Sequence, residues 1–82
     1  MPKVKIFSTT TCPYCRMEKE FLSGKGVAFE NVFVDEDDAA RDYMVEKSGQ
    51  RGVPVAELTH EDGRQEYLVG FSVARLEKVL GL

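Results

Sequence analysis

The sequence predicts an α/β domain whose elements follow the order βαβαββα. Segments with the two-residue period of strands alternate with segments of helical period, and an Asp-Gly turn signal joins the third strand to the fourth. The chain has 82 residues, which leave room for one compact domain with a single core. We therefore expect one domain over residues 1–82.

The first strand and the first helix are predicted on either side of a polar loop. From Lys3 to Ser8, apolar side chains alternate with lysines, as in a half-buried strand. Residues 9–11, all threonine, form the loop. Pro13 suits the first turn of a helix, because its missing N–H and fixed φ cost nothing there. The helix is therefore predicted to begin at Cys12 or Pro13.

Helical spacing divides this helix into an apolar and a charged face. The apolar side chains are Tyr14, Met17, Phe21 and Leu22. The charged side chains, which are expected to point away from the core, are Arg16, Glu18, Lys19 and Glu20. Gly24 is predicted to end the helix, because glycine adopts the left-handed conformation that often follows a last helical turn.

A second strand and a second helix are predicted over residues 27–47. Val27 to Val34 is rich in Val and Phe and is expected to pair in parallel with the first strand, as a central strand. Residues 35–38, Asp-Glu-Asp-Asp, could form an acidic ligand patch. We favour a capping role, because carboxylates complement the dipole at a helix start and a helix, about 37–47, follows directly. That helix is expected to end near Gly49.

The last three elements are predicted to be a hairpin and a closing helix. Val55 to Leu58 and Gln65 to Val69 are short strands, with the tight-turn pair Asp62-Gly63 between them. Ser72 is a good N-cap for the helix, and Gly81 is expected to end it. The inner face of this helix is predicted to carry Val73, Leu76, Val79 and Leu80.

Composition excludes two classes of function. Eleven Lys and Arg against fourteen Asp and Glu give a net charge of −3, so the broad basic face that captures nucleic-acid phosphates is not expected. No apolar run approaches the roughly 20 residues that cross a bilayer, and the first residues lack the apolar stretch of a signal peptide. We expect a cytoplasmic protein that binds neither nucleic acid nor membranes.

The two cysteines, Cys12 and Cys15, open the first predicted helix in the sequence Cys-Pro-Tyr-Cys. Residues three apart share one face of a helix, so the thiols can close a disulfide, but its loop is too small to stabilise a fold usefully. The first thiol would face unpaired backbone N–H groups and the positive end of the helix dipole, which favour thiolate over thiol. Cys12 is therefore predicted to be the nucleophile and the more shielded Cys15 the resolving thiol.

Three alternative interpretations compete with this chemistry. A zinc site needs four ligands, whereas the chain offers two cysteines and one distant histidine, His60, so a metal would be held only across a dimer. Both thiols could be inert core residues, but Pro13 at a helix start favours exposure. The chain could also be a binding module with incidental thiols, which an unreactive Cys12 would favour. We favour redox chemistry and expect no metal site.

Three segments resemble the glutaredoxins and small glutaredoxin-like redoxins: residues 12–15, the segment Gly52-Val53-Pro54-Val55, and Gly70-Phe71 before the final helix. The resemblance covers nearly the whole chain and implies the thioredoxin fold, with a central four-stranded mixed sheet flanked by three helices. It implies a monomeric thiol–disulfide oxidoreductase that acts on disulfide-containing or glutathionylated proteins. No permanently bound cofactor is implied, and glutathione is one possible cosubstrate.

The resemblance also implies a substrate site around the cysteines. Val53 would precede a cis proline, Pro54, and offer its backbone N–H and C=O to an extended substrate, as an added strand does. Phe71 is compatible with either a core position or a wall of the substrate groove. The remaining residues implied for substrate or glutathione binding are Thr11, Arg51, Gly70 and Ser72, and Pro13 and Tyr14 complete the active-site motif.

Two departures from the glutathione-binding pattern leave the electron donor open. Residues 8–11 lack the Lys or Arg that many glutaredoxins carry before the first cysteine. Residues 69–73 contain one glycine and no acid, where the family often has Gly-Gly followed by an acid. Gly70-Phe71-Ser72 resembles instead the redoxins that take electrons from thioredoxin reductase and serve ribonucleotide reductase, although those usually have other residues between the cysteines. Residues 48–55 resemble a group of short bacterial and archaeal glutaredoxin-like proteins, which is the group we favour. The donor is therefore either glutathione or thioredoxin reductase.

Overall fold

The observed elements follow the predicted order across residues 2–82, the part of the chain that the computed structural model describes. No helix within these residues is long and apolar enough to cross a membrane. The predicted bounds of the first and fourth strands match the observed ones, and the α/β class is confirmed. The elements are β1 (Lys3–Ser8), α1 (Pro13–Gly24), β2 (Glu30–Phe33), α2 (Asp38–Ser48), β3 (Val55–Thr59), β4 (Gln65–Val69) and α3 (Val73–Leu80).

The four strands form one mixed sheet in the order β2-β1-β3-β4. β1 pairs in parallel with β2 and antiparallel with β3, and β3 pairs antiparallel with β4. The prediction of a central second strand over residues 27–34 was wrong, because β2 is short and lies at the edge. Val27 and Val34 are buried, but they lie outside β2 and pack into two different cores. Burial of its two ends in these cores, rather than pairing with two neighbouring strands, accounts for the apolar run.

Two apolar cores lie on opposite faces of the sheet. The first contains Leu22 of α1 and Leu76 and Leu80 of α3, and the second contains Met44 of α2. Helices α1 and α3 thus cover one face and α2 covers the other, which confirms the predicted sheet flanked by three helices. Other buried side chains of the first core are Val4, Ile6, Val27, Ala56 and Leu58, and those of the second are Phe7, Val34 and Val55.

The helix ends follow local capping chemistry, with one departure from the sequence prediction. Asp37 caps α2 by accepting the Ala40 backbone N–H at 3.0 Å, which confirms the capping interpretation for this residue. The predicted left-handed stop at Gly24 was wrong, because Gly24 is the last helical residue of α1 and Lys25, whose φ is negative, is its C-cap. Gly26 adopts the left-handed conformation instead, with φ of +73°. The helix continues through Gly24, and the Lys25 backbone N–H still donates to the Phe21 carbonyl at 3.1 Å.

The buried face of α1 differs from the predicted one. Cys15, Glu18 and Leu22 are buried, whereas Tyr14 is 63% and Met17 47% exposed. The prediction that Glu18 points away from the core was wrong, because burial of Cys15 and Leu22 on one face carries the intervening Glu18 inward with them. Neither carboxylate oxygen of Glu18 has a hydrogen-bond partner within residues 2–82.

Burial raises the pKa of Glu18 from its ordinary 4.5 to about 7, although the nearby charge of Arg75 opposes this rise. The folded protein then binds a proton more tightly than the unfolded chain. The free energy of unfolding should therefore fall as the pH rises from about 4.5 to about 7, by on the order of 3 kcal/mol, and remain lowered above that range.

Glu18→Gln should remove this pH dependence, because glutamine keeps the size and neutral polarity of the protonated acid. Urea unfolding at pH 5 and pH 8 measures it: the wild type should lose stability between the two values, and the variant should lose much less. Glu20→Gln, an exposed change on the same helix, serves as the control and should behave as the wild type. Equal pH dependence in Glu18→Gln and the wild type would contradict the assignment.

Candidate active site

Cys12 occupies the N-cap position of α1. Its backbone is extended, and its Sγ accepts the backbone N–H of Cys15 at 3.1 Å. Pro13 follows in the first turn of the helix, as predicted, and the Cys12 carbonyl accepts the Arg16 backbone N–H at 3.2 Å. The sulfur of Cys12 therefore lies at the end of the helix where backbone N–H groups favour negative charge.

Cys15 lies one turn into α1 and has no exposed surface, whereas Cys12 is partly exposed. Burial raises the pKa of the Cys15 thiol to about 12, and the hydrogen bond and charge of Cys12 add to the rise. A backbone hydrogen bond with Thr9 and the positive charge of Lys19 lower the pKa of Cys15 and so oppose this rise. The two free thiols thus differ in access, and the thiolate of Cys15 is disfavoured.

The loop that leads into Cys12 is held by Asp35. One carboxylate oxygen of Asp35 accepts both the backbone N–H of Thr10, at 3.1 Å, and its hydroxyl, at 2.6 Å. These bonds hold the pKa of Asp35 below its ordinary range. The sequence interpretation assigned Asp35 to helix capping, and so missed this contact. The position of Asp35 just after β2 could have predicted the contact, because β1 and β2 are parallel and the loops that follow them meet at one edge of the sheet.

The segment before β3 joins the same edge of the sheet. The Val53–Pro54 peptide bond is cis, as the family resemblance implied. Pro54 is buried and Val53 half-buried, and the Pro54 carbonyl accepts the Gly70 backbone N–H at 2.8 Å. This bond fastens the cis-proline segment to the turn that leads into α3.

The turn into α3 contains the predicted residues Gly70, Phe71 and Ser72. Gly70 has a φ of +79°, a left-handed conformation that favours glycine. Phe71 packs against the first core, with its ring 6.1 Å from that of Phe21, and it keeps some exposed surface. Ser72 caps α3 by accepting the Arg75 backbone N–H at 3.3 Å, so its capping role is confirmed.

The other predicted site residues are exposed. Thr11 precedes Cys12 directly and Tyr14 follows it by two residues, so both lie beside the thiols. Arg51 lies in the exposed bend before Val53, and within residues 2–82 it pairs with no carboxylate. The structure therefore brings Thr11 and Tyr14 to the cysteines but gives Arg51 no fixed contact there.

His60 lies at the start of the β3–β4 turn, where its Nε2 is 3.3 Å from Glu66. Within the described part of the chain, no group of three or more His, Cys, Asp or Glu side chains is arranged to hold a metal ion. The contacts of His60 are therefore those of a hairpin residue.

The sequence model of the Glutaredoxin family matches residues 4–61, which include both cysteines and the cis proline. The chain belongs to the glutaredoxin family. An uncharacterised glutaredoxin-like 8.6 kDa protein of the rubredoxin operon of Clostridium pasteurianum is 40% identical over 77 residues, 94% of this chain and 96% of that protein. Glutaredoxin 3 of Escherichia coli strain K12 is 43% identical over 54 residues, 66% of this chain and 65% of that protein.

Structural similarity supports the same family. The crystal structure of the methanoredoxin of Methanosarcina acetivorans superposes with a TM-score of 0.84 at 28% identity, over 98% of this chain and 85% of that one. The chain is therefore a glutaredoxin-like redoxin with the thioredoxin fold, as the sequence resemblance implied.

We expect alkylating reagents to distinguish the two thiols. At pH 7, iodoacetamide should modify Cys12 in the Cys15→Ser variant about tenfold faster, or more, than it modifies Cys15 in Cys12→Ser, because Cys15 is buried and its thiolate is disfavoured. Mass spectrometry of timed samples gives both rates, and unfolding in urea should abolish the difference. Equal rates in the folded variants would contradict the asymmetry.

Proposed function

We propose that this protein reduces disulfides of proteins, and mixed disulfides of proteins with glutathione, through a dithiol mechanism at Cys12 and Cys15. The observation that carries the proposal is the pairing of a partly exposed sulfur at a helix N-cap with a buried thiol one turn away. An exposed sulfur can reach a substrate disulfide, and a shielded one can complete the reaction without competing for the substrate.

The reaction begins when the Cys12 thiolate attacks one sulfur of a substrate disulfide. A bond forms between Cys12 and that sulfur, and the other substrate sulfur leaves with the electron pair and takes up a proton. Cys15 then loses its proton and attacks the Sγ of Cys12, which releases the second substrate thiol. The substrate gains two electrons and two protons, and the protein retains a Cys12–Cys15 disulfide for a donor to reduce.

Substrate binding is proposed at the sheet edge beside Cys12. Val53 and Pro54 would present their backbone to an extended peptide, and the turn of Gly70, Phe71 and Ser72, joined to Pro54 by a hydrogen bond, would form the opposite wall. Thr11 and Arg51 would contact a substrate or the glutathione moiety from the exposed rim. The reaction needs no permanently bound cofactor, and we propose that the monomer acts in the cytoplasm.

Electron donation by thioredoxin reductase, rather than glutathione, is a second candidate that one observation favours. Phe71 occupies the place where the glutathione-binding pattern continues with a second glycine, and its ring packs against Phe21. The acid of that pattern is absent from residues 69–73. A donor protein, or a dedicated protein substrate such as ribonucleotide reductase, could use this apolar turn without a glutathione clamp.

The dithiol mechanism predicts that Cys15→Ser traps its substrate. After incubation with insulin, a protein with accessible disulfides, the variant should accumulate a mixed disulfide through Cys12, seen as a mass increase that dithiothreitol reverses. Cys12→Ser, the matched control, should form none. Full turnover of insulin by Cys15→Ser would refute the dithiol route, whereas activity on a glutathionylated peptide alone would indicate a monothiol route, because free glutathione can resolve Cys12.

The electron donor is tested by following NADPH oxidation with the oxidised protein. One assay supplies glutathione and glutathione reductase, and the other supplies thioredoxin reductase. Turnover with glutathione alone is expected if residues 8–11 and 69–73 still accommodate it, and turnover with thioredoxin reductase alone is expected for the second candidate. Failure of Cys12 to exchange with either donor or with insulin would favour a binding module.

A further inference from the structure

Lys19 lies on α1, and its ammonium contacts residues at the ends of β1 and β2 rather than extending into solvent. Its Nζ donates to the Ser8 hydroxyl at 3.4 Å and lies 4.9 Å from the centre of the Phe33 ring. Ser8 is fully buried at the end of β1, and its hydroxyl donates in turn to Asn31 at 2.6 Å. The ammonium of Lys19 is thus held by the last residues of β1 and β2, at the edge of the sheet where the active site lies.

The charge of Lys19 is not neutralised by a neighbouring acid. Within residues 2–82, no carboxylate lies at ion-pairing distance from its Nζ. The adjacent Glu18 points into the core, where Arg75 of α3 is the charge acting on it. A partly buried and unpaired ammonium exerts a stronger field on its neighbours than an exposed one.

Cys15 is the group on which this field can act. Lys19 lies four residues after Cys15, and residues at this spacing are neighbours on a helix surface. The charged groups that influence Cys15 are Cys12 and Lys19, and Lys19 is the one that favours its thiolate. Once Cys12 is bonded to a substrate it carries no charge, so burial then disfavours the Cys15 thiolate, while a backbone hydrogen bond with Thr9 and the charge of Lys19 favour it.

We propose that Lys19 is a positioning residue for the resolving step, in which its ammonium, fixed by Ser8 and Phe33, stabilises the thiolate of Cys15 as it attacks Cys12. The inference rests on the proposed dithiol function and extends it to the control of its second step. In that step the Cys15–Cys12 bond forms, the bond from Cys12 to the substrate sulfur breaks, and the proton lost by Cys15 is balanced by one taken up by the released thiol.

Removal of the Lys19 charge is expected to lower the rate of the resolving step only moderately. A neighbouring charge that lowers the pKa of a thiol by about one unit increases its thiolate about tenfold at a pH below that pKa. Nucleophilicity falls with the pKa, by about threefold for the same change. Loss of the charge should therefore slow the resolving step about three- to fourfold at pH 7.

Ellman's reagent separates the two steps in one experiment. Attack by Cys12 releases one equivalent of thionitrobenzoate and leaves the other as a mixed disulfide, and attack by Cys15 releases the second. Stopped-flow absorbance of the released thionitrobenzoate records both phases. In Lys19→Met we expect the second phase to slow about three- to fourfold and its rate–pH profile to move to higher pH, with the first phase changed much less.

Matched variants distinguish the charge from a structural role. Lys19→Arg should restore the second phase, and Lys19→Gln tests the same loss of charge should the Met variant fold poorly. Lys25→Met removes a lysine that also lies over a ring, that of Phe21, and should leave both phases unchanged. An unchanged second phase in both neutral Lys19 variants, or equal slowing of both phases, would overturn the inference. Release of only one equivalent by the wild type would instead refute the dithiol function itself.

Discussion

The burial of Cys15 on the inner face of α1 is the constraint on which the active site depends. A helix presents side chains at fixed angles, so burial of Cys15 places Cys12, three residues earlier, at the helix end with its sulfur partly exposed. The same rotation turns Tyr14 outward and brings Glu18 into the core. The different surroundings of the two thiols thus follow from how one helix packs on the sheet.

Strand pairing gathers the remaining parts of the site at one edge of the sheet. Phe7 is paired with Val55, and Val55 with Val69, so the segments that follow β1, precede β3 and follow β4 lie side by side. Hydrogen bonds from Thr10 to Asp35 join the segment after β1 to the one after β2, and the bond from Gly70 to Pro54 joins the segment after β4 to the one before β3. Loops fixed in this way to a rigid sheet can place substrate-binding groups accurately around a reactive sulfur.

The two buried glutamates show how context decides the behaviour of a carboxylate. On the α2 face, Glu57 accepts hydrogen bonds from the hydroxyls of Tyr43 and Tyr67 and lies 3.9 Å from the ammonium of Lys5. On the α1 face, Glu18 has no hydrogen-bond partner within residues 2–82. Burial of a polar group costs little when it is hydrogen-bonded and much more when it is not. Glu57 is therefore suited to joining α2 to the sheet, and Glu18 to responding to pH.

The sequence by itself determined the order of the elements, the cap at Ser72, the capping of α2 by a carboxylate and the family, because each depends on local periodicity or on a short motif. It also indicated the position of Cys12 at a helix start, since Pro13 and the preceding polar loop act locally. Only the tertiary structure decided that β2 is an edge strand, that Glu18 is buried and that the ammonium of Lys19 is held at the ends of β1 and β2. These outcomes depend on which face of α1 meets the sheet and on which strands become neighbours, and both are set by contacts between residues distant in the chain.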